Sequence, residues 1–388
     1  MKPILYLDNA ATTPVDPRVV EAMVACLGPN DDFANPASGH ALGARARQLV
    51  ERARTAVAGR VNALPQRIAF TSGATEANNL ALKGVLRARR AERRHVVTTR
   101  IEHKSVLEAA HALEREGVAV TYLDCDAHGN VTPEQIDAAI TADTVLVSVM
   151  HVNNEIGVIE DIPEIARVCR ARRVLLHVDA AQSAGKIPLD LAGWDVDLCS
   201  LTAHKINGPK GVGALYVRSG ITLLPLVDGG EPEVGLRGGT LATHQIVGMG
   251  KAFELAEPDV EGARLAKLRD ELWRGLESLG GVTRNGNPAR SAPHILSASF
   301  RGIDGASLIF ALSDIALSQG SACNTSVPEP SYVLTALGLS DAVAQSTLRF
   351  GLGRFTEPAD VAHAVERAGT EFNRLRALAR GAPAWCSS

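Results

Sequence analysis

Seven short apolar runs alternate with helical segments between residues 65 and 220, and this alternation limits the possible fold more than any other feature. The runs are RIAFTSG, HVVTT, VAVTYLD, TVLVSVMHV, RVLLHVD, VDLCSLTA and GALYVR. Strands that are apolar throughout, with helices between them, predict a mostly parallel sheet covered by helices on both faces. Ligands bind to such sheets at the carboxyl ends of the strands, so the residues after each run are candidates for a functional site.

The pattern changes near residue 252. A long helix, the strand ILSASF, a second helix, a loop rich in Gly and Ser, and a closing helix predict a smaller α+β domain. We therefore expect a large domain over residues 16–251, and a small domain formed by residues 1–15 and 252–388 together. A chain of 388 residues is long enough for two such units.

Charge and cysteine content argue against several classes of function. The 40 basic residues nearly balance the 43 acidic ones without a polybasic run, so neither nucleic-acid nor membrane-surface binding is predicted. No stretch approaches the roughly 18 apolar residues of a membrane span, and the start MKPILYLDNAATTP lacks the features of a signal peptide. We expect a cytoplasmic protein. The 6 cysteines form no CxxC pair, so no metal site is predicted.

The first chemical signals follow two of the predicted strands. TSGATEANN, at residues 71–79, is a Gly-containing turn that opens a helix and presents backbone N–H groups to an anion. The alternative is an ordinary helix N-cap with Ser72 or Thr75 as the capping residue. His103 lies where the next strand gives way to a helix, and it either belongs to the same site or is a cap or surface residue.

Two further signals follow the strands that end in HVD and SLT. Asp179 ends an apolar strand, so it either caps the next segment or holds a positive charge such as a protonated ring nitrogen, with Gln182 alongside. Lys205 either neutralises that carboxylate or forms a Schiff base, which arginine cannot do. A phosphate cradle, a carboxylate for a ring nitrogen and a Schiff-base lysine are together the parts of a pyridoxal-phosphate site.

Several long motifs resemble one enzyme family. TSGATEANNLALKG, HVNNEIG, HVDAAQSAGK, AHKINGPKGVGALYV, GTLATHQIVGMG, SQGSAC and LRFGLGRFT are similar to segments of cysteine desulfurases of the NifS/IscS type, which are class V members of the fold-type I pyridoxal-phosphate enzymes. The resemblance runs from LDNAATTPVDPRV to about residue 378. It implies an α/β fold with a mostly parallel seven-stranded sheet, helices on both faces and a smaller α+β domain.

The resemblance also implies a role for each matching residue. Lys205 forms the Schiff base with pyridoxal 5'-phosphate and moves the substrate Cα proton, while Asp179 pairs with the pyridine nitrogen. Gln182 hydrogen-bonds the phenolic oxygen, and His103 stacks on the ring and assists proton transfer. The resemblance implies that four residues bind the cofactor phosphate: Ala74, Thr75, Thr202 and His204. It implies that Thr240 binds the cofactor phosphate of a second subunit. Arg349 and Asn154 are implied to bind the substrate carboxylate, and Asn154 also lies beside the cofactor. The Thr240 contact implies a homodimer.

Cys323 is the residue that the resemblance assigns to sulfur chemistry. SQGSACNTSVPEPS is rich in small and turn-forming residues, which predicts a mobile surface loop over about residues 318–331. The resemblance implies that the Cys323 thiolate takes the sulfur of L-cysteine as a persulfide, releases L-alanine and passes the sulfur to acceptor proteins. Cys386, near the end of the chain, is expected to be incidental.

Two other functions remain as alternatives from the sequence. A selenocysteine lyase, or another class V lyase or transaminase, would share the fold and the cofactor; a selenide-specific lyase can dispense with the thiol, so Cys323 favours a desulfurase. The presence of Lys205, His103, Asp179 and Cys323 argues against a non-catalytic sulfur-relay scaffold that kept the fold but lost the chemistry. The destination of the sulfur stays open between iron–sulfur cluster assembly, tRNA thiolation, cofactor synthesis and DNA phosphorothioation.

Overall fold

All seven apolar runs form strands of one sheet in the computed structural model, which describes residues 4–89, 94–230, 232–319 and 330–381. The strands in these ranges are β1 (Leu5–Tyr6), β2 (Ile68–Thr71), β3 (His95–Thr99), β4 (Ala119–Leu123), β5 (Thr144–Met150), β6 (Leu175–Asp179), β7 (Leu198–Thr202), β8 (Gly213–Val217), β9 (Val282–Arg284), β10 (Ile295–Phe300), β11 (Ile315–Ala316) and β12 (Thr347–Gly351). The helices are α1 (Pro17–Val24), α2 (Ala41–Arg60), α3 (Ala74–Ala88), α4 (Lys104–Arg115), α5 (Pro133–Ala139), α6 (Ile162–Arg172), α7 (Thr243–Glu254), α8 (Pro258–Glu277), α9 (Gly305–Ala311), α10 (Tyr332–Ala336), α11 (Asp341–Gln345) and α12 (Pro358–Gly381).

The large sheet has the strand order β2-β8-β7-β6-β5-β3-β4. Its strands are parallel except β8, which runs antiparallel to both β2 and β7. This confirms the predicted mostly parallel, seven-stranded α/β fold. The carboxyl ends of β2, β3, β5, β6 and β7 therefore meet at one edge of the sheet, where the polar residues singled out in the sequence begin.

Apolar side chains on both faces of each central strand explain why the sheet is covered on both sides. Successive residues of a strand point to opposite faces, and here Leu146 joins the core beneath α3 and α4 while Val147 joins the core beneath α2, α6 and α7. In the same way, Leu198 joins the core that contains Leu146, and Cys199 joins the core that contains Val147. Every residue of β5 is buried, as expected for a strand between two helical layers.

The C-terminal part of the chain forms a second, smaller core. Strands β9, β10 and β12 form an antiparallel sheet in the order β12-β10-β9, and α8 and α12 pack on it. The rings of Phe300 and Phe372 meet edge to face at 5.3 Å inside this core. Strand β1 pairs in parallel with β11, which brings the start of the chain to its C-terminal part. The boundaries 16–251 and 252–388 stay a prediction.

Within the described ranges, none of the helices combines the length and the apolar character that a membrane span requires.

Candidate active site

A cavity of about 520 Å³ lies at the edge of the large sheet where the strands end. Nine of the residues singled out in the sequence line it: Ala74, Thr75, His103, Asn154, Asp179, Gln182, Thr202, His204 and Lys205. Each of these residues lies at or beyond the carboxyl end of one of the strands β2, β3, β5, β6 and β7. The fold therefore brings together most of a site that is spread over 132 positions of the chain, from residue 74 to residue 205.

Asp179 ends β6 as a buried carboxylate with both oxygens hydrogen-bonded. Its Oδ1 accepts from the backbone N–H of Ala181 at 2.9 Å, and its Oδ2 accepts from Nδ2 of Asn78 at 2.7 Å. The same Asn78 nitrogen donates to Oγ of Ser105 at 2.8 Å. Asp179 thus caps the following turn, as one interpretation of the sequence had it, and Asn78 and Ala181 also fix its orientation at the cavity wall.

His103 is the N-cap residue of α4, and its cap also fixes its tautomer. Its Nδ1 accepts from the backbone N–H of Ser105 at 3.1 Å and lies 2.8 Å from Oγ of that residue. A ring nitrogen that accepts a backbone N–H is unprotonated, so neutral His103 carries its proton on Nε2. Burial, with the nearby charge of Lys205, lowers the pKa of His103 and favours this neutral form.

Lys205 lies just beyond β7 with an amine that loses its proton easily. Burial lowers the pKa of Lys205 to about 8, because Asp179 opposes the shift only in part and Arg349 adds to it. Within the part of the chain that the structure describes, Lys205 and Asp179 do not form a salt bridge with each other. The sequence alternative in which Lys205 only neutralises this carboxylate is therefore not supported by the geometry.

The start of α3 is open to a ligand. Its N-cap residue is Gly73, with φ of +150° and no side-chain cap, so the alternative of a Ser72 or Thr75 cap is wrong. Glu76 in the first turn instead accepts from the backbone N–H of Ser72 at 2.7 Å and from Nε of Arg237 at 2.7 Å. The other N–H groups in the first turn of a helix lack acceptors within the helix. In α3 this turn lines the cavity through Ala74 and Thr75.

Two buried polar atoms at the cavity have no hydrogen-bond partner in the described part of the chain. They are Oγ1 of Thr202 and Oδ1 of Asn154. Beside Thr202, Nδ1 of His204 lies 3.2 Å from Oγ1 of Thr12. Burial, together with the charges of Lys205 and Lys210, lowers the pKa of His204 to about 4, so its ring is neutral at pH 7. Buried polar groups are normally satisfied, which indicates that a polar ligand completes this site.

Arg349 and Thr240 lie outside the walls of this cavity. Arg349, on β12, is buried and donates to the backbone oxygen of Asn154 and to Oδ1 of Asp8, both at 2.8 Å. It is thus next to the cavity through Asn154. Thr240 is exposed and lines two neighbouring cavities. Its predicted contact with the cofactor phosphate of a second subunit stays a prediction.

Cys323 and Cys386 lie outside the described residues. The residues on either side of the segment that contains Cys323 contact residues of the site. The backbone oxygen of Ser318 accepts from the backbone N–H of Arg349 at 2.7 Å. On the other side, Ser331 caps α10 and donates to Glu155, the neighbour of Asn154. Both flanks of the segment therefore meet residues beside the proposed substrate position.

Sequence reasoning missed Asn78, Ser105 and His294. Asn78 is fully buried on α3, and His294 is fully buried just before β10, with Nε2 at 3.3 Å from Oε1 of Gln182. The signal for Asn78 was a polar residue at a helix position that otherwise faces the core. No comparable signal marks His294, because its contact joins residues 112 positions apart.

The polar atoms of this cavity match the parts of pyridoxal phosphate. A helix start with free N–H groups and an unsatisfied Thr202 hydroxyl suits a phosphate, and the carboxylate of Asp179 suits a protonated ring nitrogen. The amine of Lys205 suits an aldehyde. Among the described residues, no group of three or more His, Cys, Asp or Glu side chains could hold a metal ion.

Comparison with known proteins gives a consistent result. The sequence model of the family described as aminotransferase class-V matches residues 5–363. A cysteine desulfurase IscS of Shewanella sediminis (strain HAW-EB3) is 49% identical over 390 residues, which cover 99% of this chain and 96% of that protein. A solved structure of a NifS-like protein superposes with a TM-score of 0.90 at 37% identity, over 96% of this chain and 100% of that chain.

A second solved structure, described as SspA in complex with cysteine, has a TM-score of 0.82 at 38% identity, over 91% of this chain and 100% of that chain. The similarity to these proteins spans at least 91% of the chain, and the family model covers every strand of the large sheet. The chain therefore belongs to the class-V aminotransferase family and, within it, to the cysteine desulfurases of the NifS/IscS type.

Proposed function

We propose that this protein is a pyridoxal-phosphate-dependent cysteine desulfurase that converts L-cysteine to L-alanine and holds the sulfur as a persulfide on Cys323. The observation that carries the proposal is the placement of the Lys205 amine in one cavity with the hydrogen-bonded Asp179 carboxylate and the open start of α3. Arg349 and the flanks of the Cys323 segment adjoin that cavity. The near-full-length relatives named above support the same chemistry.

The cofactor would be held by charge and hydrogen bonds at three places. The first turn of α3, with Thr75, Thr202 and His204, would bind the phosphate, and Asp179 would keep the ring nitrogen protonated. Gln182 would bind the ring oxygen. When bound in this way, pyridoxal phosphate would draw electrons from the substrate Cα, which allows the Cα–H bond and then the Cβ–S bond to break.

Two side chains are placed to move protons. The lowered pKa of Lys205 leaves a substantial fraction of neutral amine at pH 7–8, so Nζ can take the substrate Cα proton and return it to the carbon. Neutral His103 holds its proton on Nε2, at the cavity wall, and can donate it to a substrate atom. Each group therefore starts in the protonation state that its role needs.

The substrate carboxylate would be bound by Arg349, with Asn154 beside it. The planar guanidinium matches a carboxylate with two parallel hydrogen bonds, and its contact with Asp8 fixes its position. A carboxylate held there leaves the substrate sulfur free to meet Cys323. The Cys323 thiolate would then bond to this sulfur as the Cβ–S bond breaks, and the bonding electrons would go to Cβ, which takes up a proton to become the methyl group of L-alanine.

The proposed unit is a homodimer that passes sulfur to acceptor proteins. Exposed apolar side chains on and after α1 support a second copy as their cover: Val20, Val24, Leu27 and Phe33 are 45–57% exposed. Thr240, exposed beside two neighbouring cavities, would then reach the cofactor phosphate of that copy.

The test is a visible absorption spectrum of the purified protein, with alanine and sulfide assayed after L-cysteine and a thiol reductant are added. We expect a yellow protein that forms both products. A protein that stays colourless with added pyridoxal phosphate contradicts the proposal, and alanine formed only from selenocysteine would favour a lyase instead. Lys205→Ala should lose the absorption and the turnover, whereas the surface variant Lys251→Ala should keep both.

The role of Cys323 has its own test. Cys323→Ser should keep the cofactor absorption but lose sulfide release, because a hydroxyl cannot accept the sulfur as a persulfide. Cys125→Ser is the matched control, since Cys125 is half-buried and contacts the backbone oxygen of Ala336 rather than the cavity. Sulfide release at the wild-type rate by Cys323→Ser would show that another group accepts the sulfur.

A further inference from the structure

The side-chain amide of Gln182 is held at both ends. Its Nε2 donates to the carbonyl oxygen of Ala10 at 2.7 Å, and its Oε1 lies 3.3 Å from Nε2 of His294. A carbonyl oxygen can only accept, so the nitrogen of the amide must face Ala10 and the oxygen must face His294. His294 must then carry its proton on Nε2 and donate it to Gln182.

The surroundings of His294 keep it in this one protonation state. The side chain is fully buried, and the backbone oxygen of the same residue accepts from the backbone N–H of Leu352 at 2.9 Å. Four cationic side chains from four parts of the fold act on it: Lys186 after β6, Lys205 after β7, Arg269 on α8 and Arg349 on β12. Burial and these charges hold the pKa of His294 well below its usual value.

The other ring nitrogen agrees with this assignment. In the described part of the chain, Nδ1 of His294 has no hydrogen-bond partner. If Nδ1 is unprotonated, no buried donor of the ring lacks an acceptor. If Nδ1 carried the proton instead, that N–H would have no acceptor, and the oxygen of Gln182 would lose its donor. The Nε2–H tautomer is therefore the one with the lower cost.

We propose that His294 is a positioning residue that makes Gln182 a hydrogen-bond donor toward the cavity. One N–H of the amide is taken by Ala10 and the oxygen by His294, so the second N–H, which has no acceptor among the described residues, is left for a ligand in the cavity that Gln182 lines. This inference rests on the proposed function and deepens it. It assigns Gln182 as donor, rather than acceptor, to the ring oxygen of the cofactor, and a donor there stabilises the anionic form of that oxygen.

The first test needs no cofactor. Nitrogen NMR of histidine-labelled apoprotein, with His294→Asn to assign the signal, reports which ring nitrogen carries the proton. We expect His294 to be neutral with its proton on Nε2 throughout pH 6–9. A proton on Nδ1, or a charged ring at pH 7, would overturn the proposal whether or not the protein binds pyridoxal phosphate.

The second test asks whether His294 acts through Gln182. In the reconstituted protein without substrate, the visible absorption is titrated with pH for the wild type, His294→Leu, Gln182→Leu and the double variant. We expect both single variants to raise the pKa of the chromophore, and the double variant to raise it no further than Gln182→Leu alone. His294→Asn retains an N–H donor and should lie closer to the wild type than His294→Leu does.

A matched control separates this effect from the loss of any buried histidine. His95 is buried on β3 and bridges Oγ1 of Thr144 and Oγ1 of Thr121 at 2.8 and 2.9 Å, away from the cavity. His95→Leu should lower stability and leave the chromophore pKa unchanged. An unchanged pKa in His294→Leu, or additive shifts in the double variant, would refute the positioning role. A colourless wild-type protein would instead contradict the proposed function.

Discussion

Asn78 donates its side-chain amide to Asp179, with 2.7 Å between Nδ2 and Oδ2. The two residues come from different elements, α3 and β6, and both are at most 5% exposed. Through Ser105, the same amide is also joined to the cap of α4 and so to His103. One asparagine therefore links the carboxylate proposed for the cofactor ring to the imidazole proposed to lie over it.

Asn78→Leu should lower both stability and cofactor retention. The variant leaves a buried carboxylate oxygen and a buried Ser105 hydroxyl with one partner fewer, at a cost of about 1–3 kcal/mol in the free energy of unfolding. Urea unfolding of the apoprotein and dialysis of the yellow protein measure the two effects. The control is Asn79→Leu, because Asn79 is only partly buried and donates only to the backbone oxygen of Thr75. Equal losses in both variants would contradict the linking role.

The uptake of pyridoxal phosphate by the apoprotein should follow the titration of Lys205. The neutral amine is the reactive form, so a pKa lowered to about 8 means that the rate rises with pH up to about 8 and then levels off. An ordinary lysine would give a rate that continues to rise toward pH 10.5. Stopped-flow absorption measures the rate, and the reaction with free lysine corrects for titration of the reagent.

Thr202→Val should separate phosphate binding from folding. The hydroxyl of Thr202 has no partner among the described residues, so its removal should leave the stability of the apoprotein unchanged or slightly higher. A hydrogen bond to a charged group contributes about 1.5–3 kcal/mol, which predicts an affinity for pyridoxal phosphate at least about tenfold lower. Pyridoxal, which lacks the phosphate, is the matched ligand. If the variant loses the same affinity for both ligands, Thr202 does not bind the phosphate.

Arg349→Lys should raise KM for L-cysteine by about tenfold or more, because a lysine cannot form two parallel hydrogen bonds with a carboxylate. The visible spectrum without substrate should stay that of the wild type, since Arg349 does not line the cavity. Asp8→Asn is the matched control, because asparagine keeps the Oδ1 acceptor for Arg349 and removes only the neighbouring negative charge. It should leave KM unchanged or lower it; a rise equal to that of Arg349→Lys would indicate a purely structural role for the pair.

The sequence alone was sufficient for the fold and for much of the site. Fully apolar runs such as TVLVSVM predicted buried parallel strands because both faces of each strand need cover, and the structure divides Leu146 and Val147 between two cores. Lys205 and Asp179 stood out because each is a polar residue directly after an apolar strand. Parallel strands place all such positions at one edge, so local patterns were enough to predict that these residues line one cavity.

Only the tertiary structure decided which other side chains hold these groups in place. Asn78 meets Asp179 across 101 positions, and His294 meets Gln182 across 112, and no local pattern fixes such distances. The protonation states also depend on the fold. A histidine before a strand has no preferred tautomer in the sequence, but burial among four cations, with the amide oxygen of Gln182 at Nε2, leaves His294 with one. The physical reason is that hydrogen bonding and desolvation depend on neighbours in space, which the chain acquires only when it is folded.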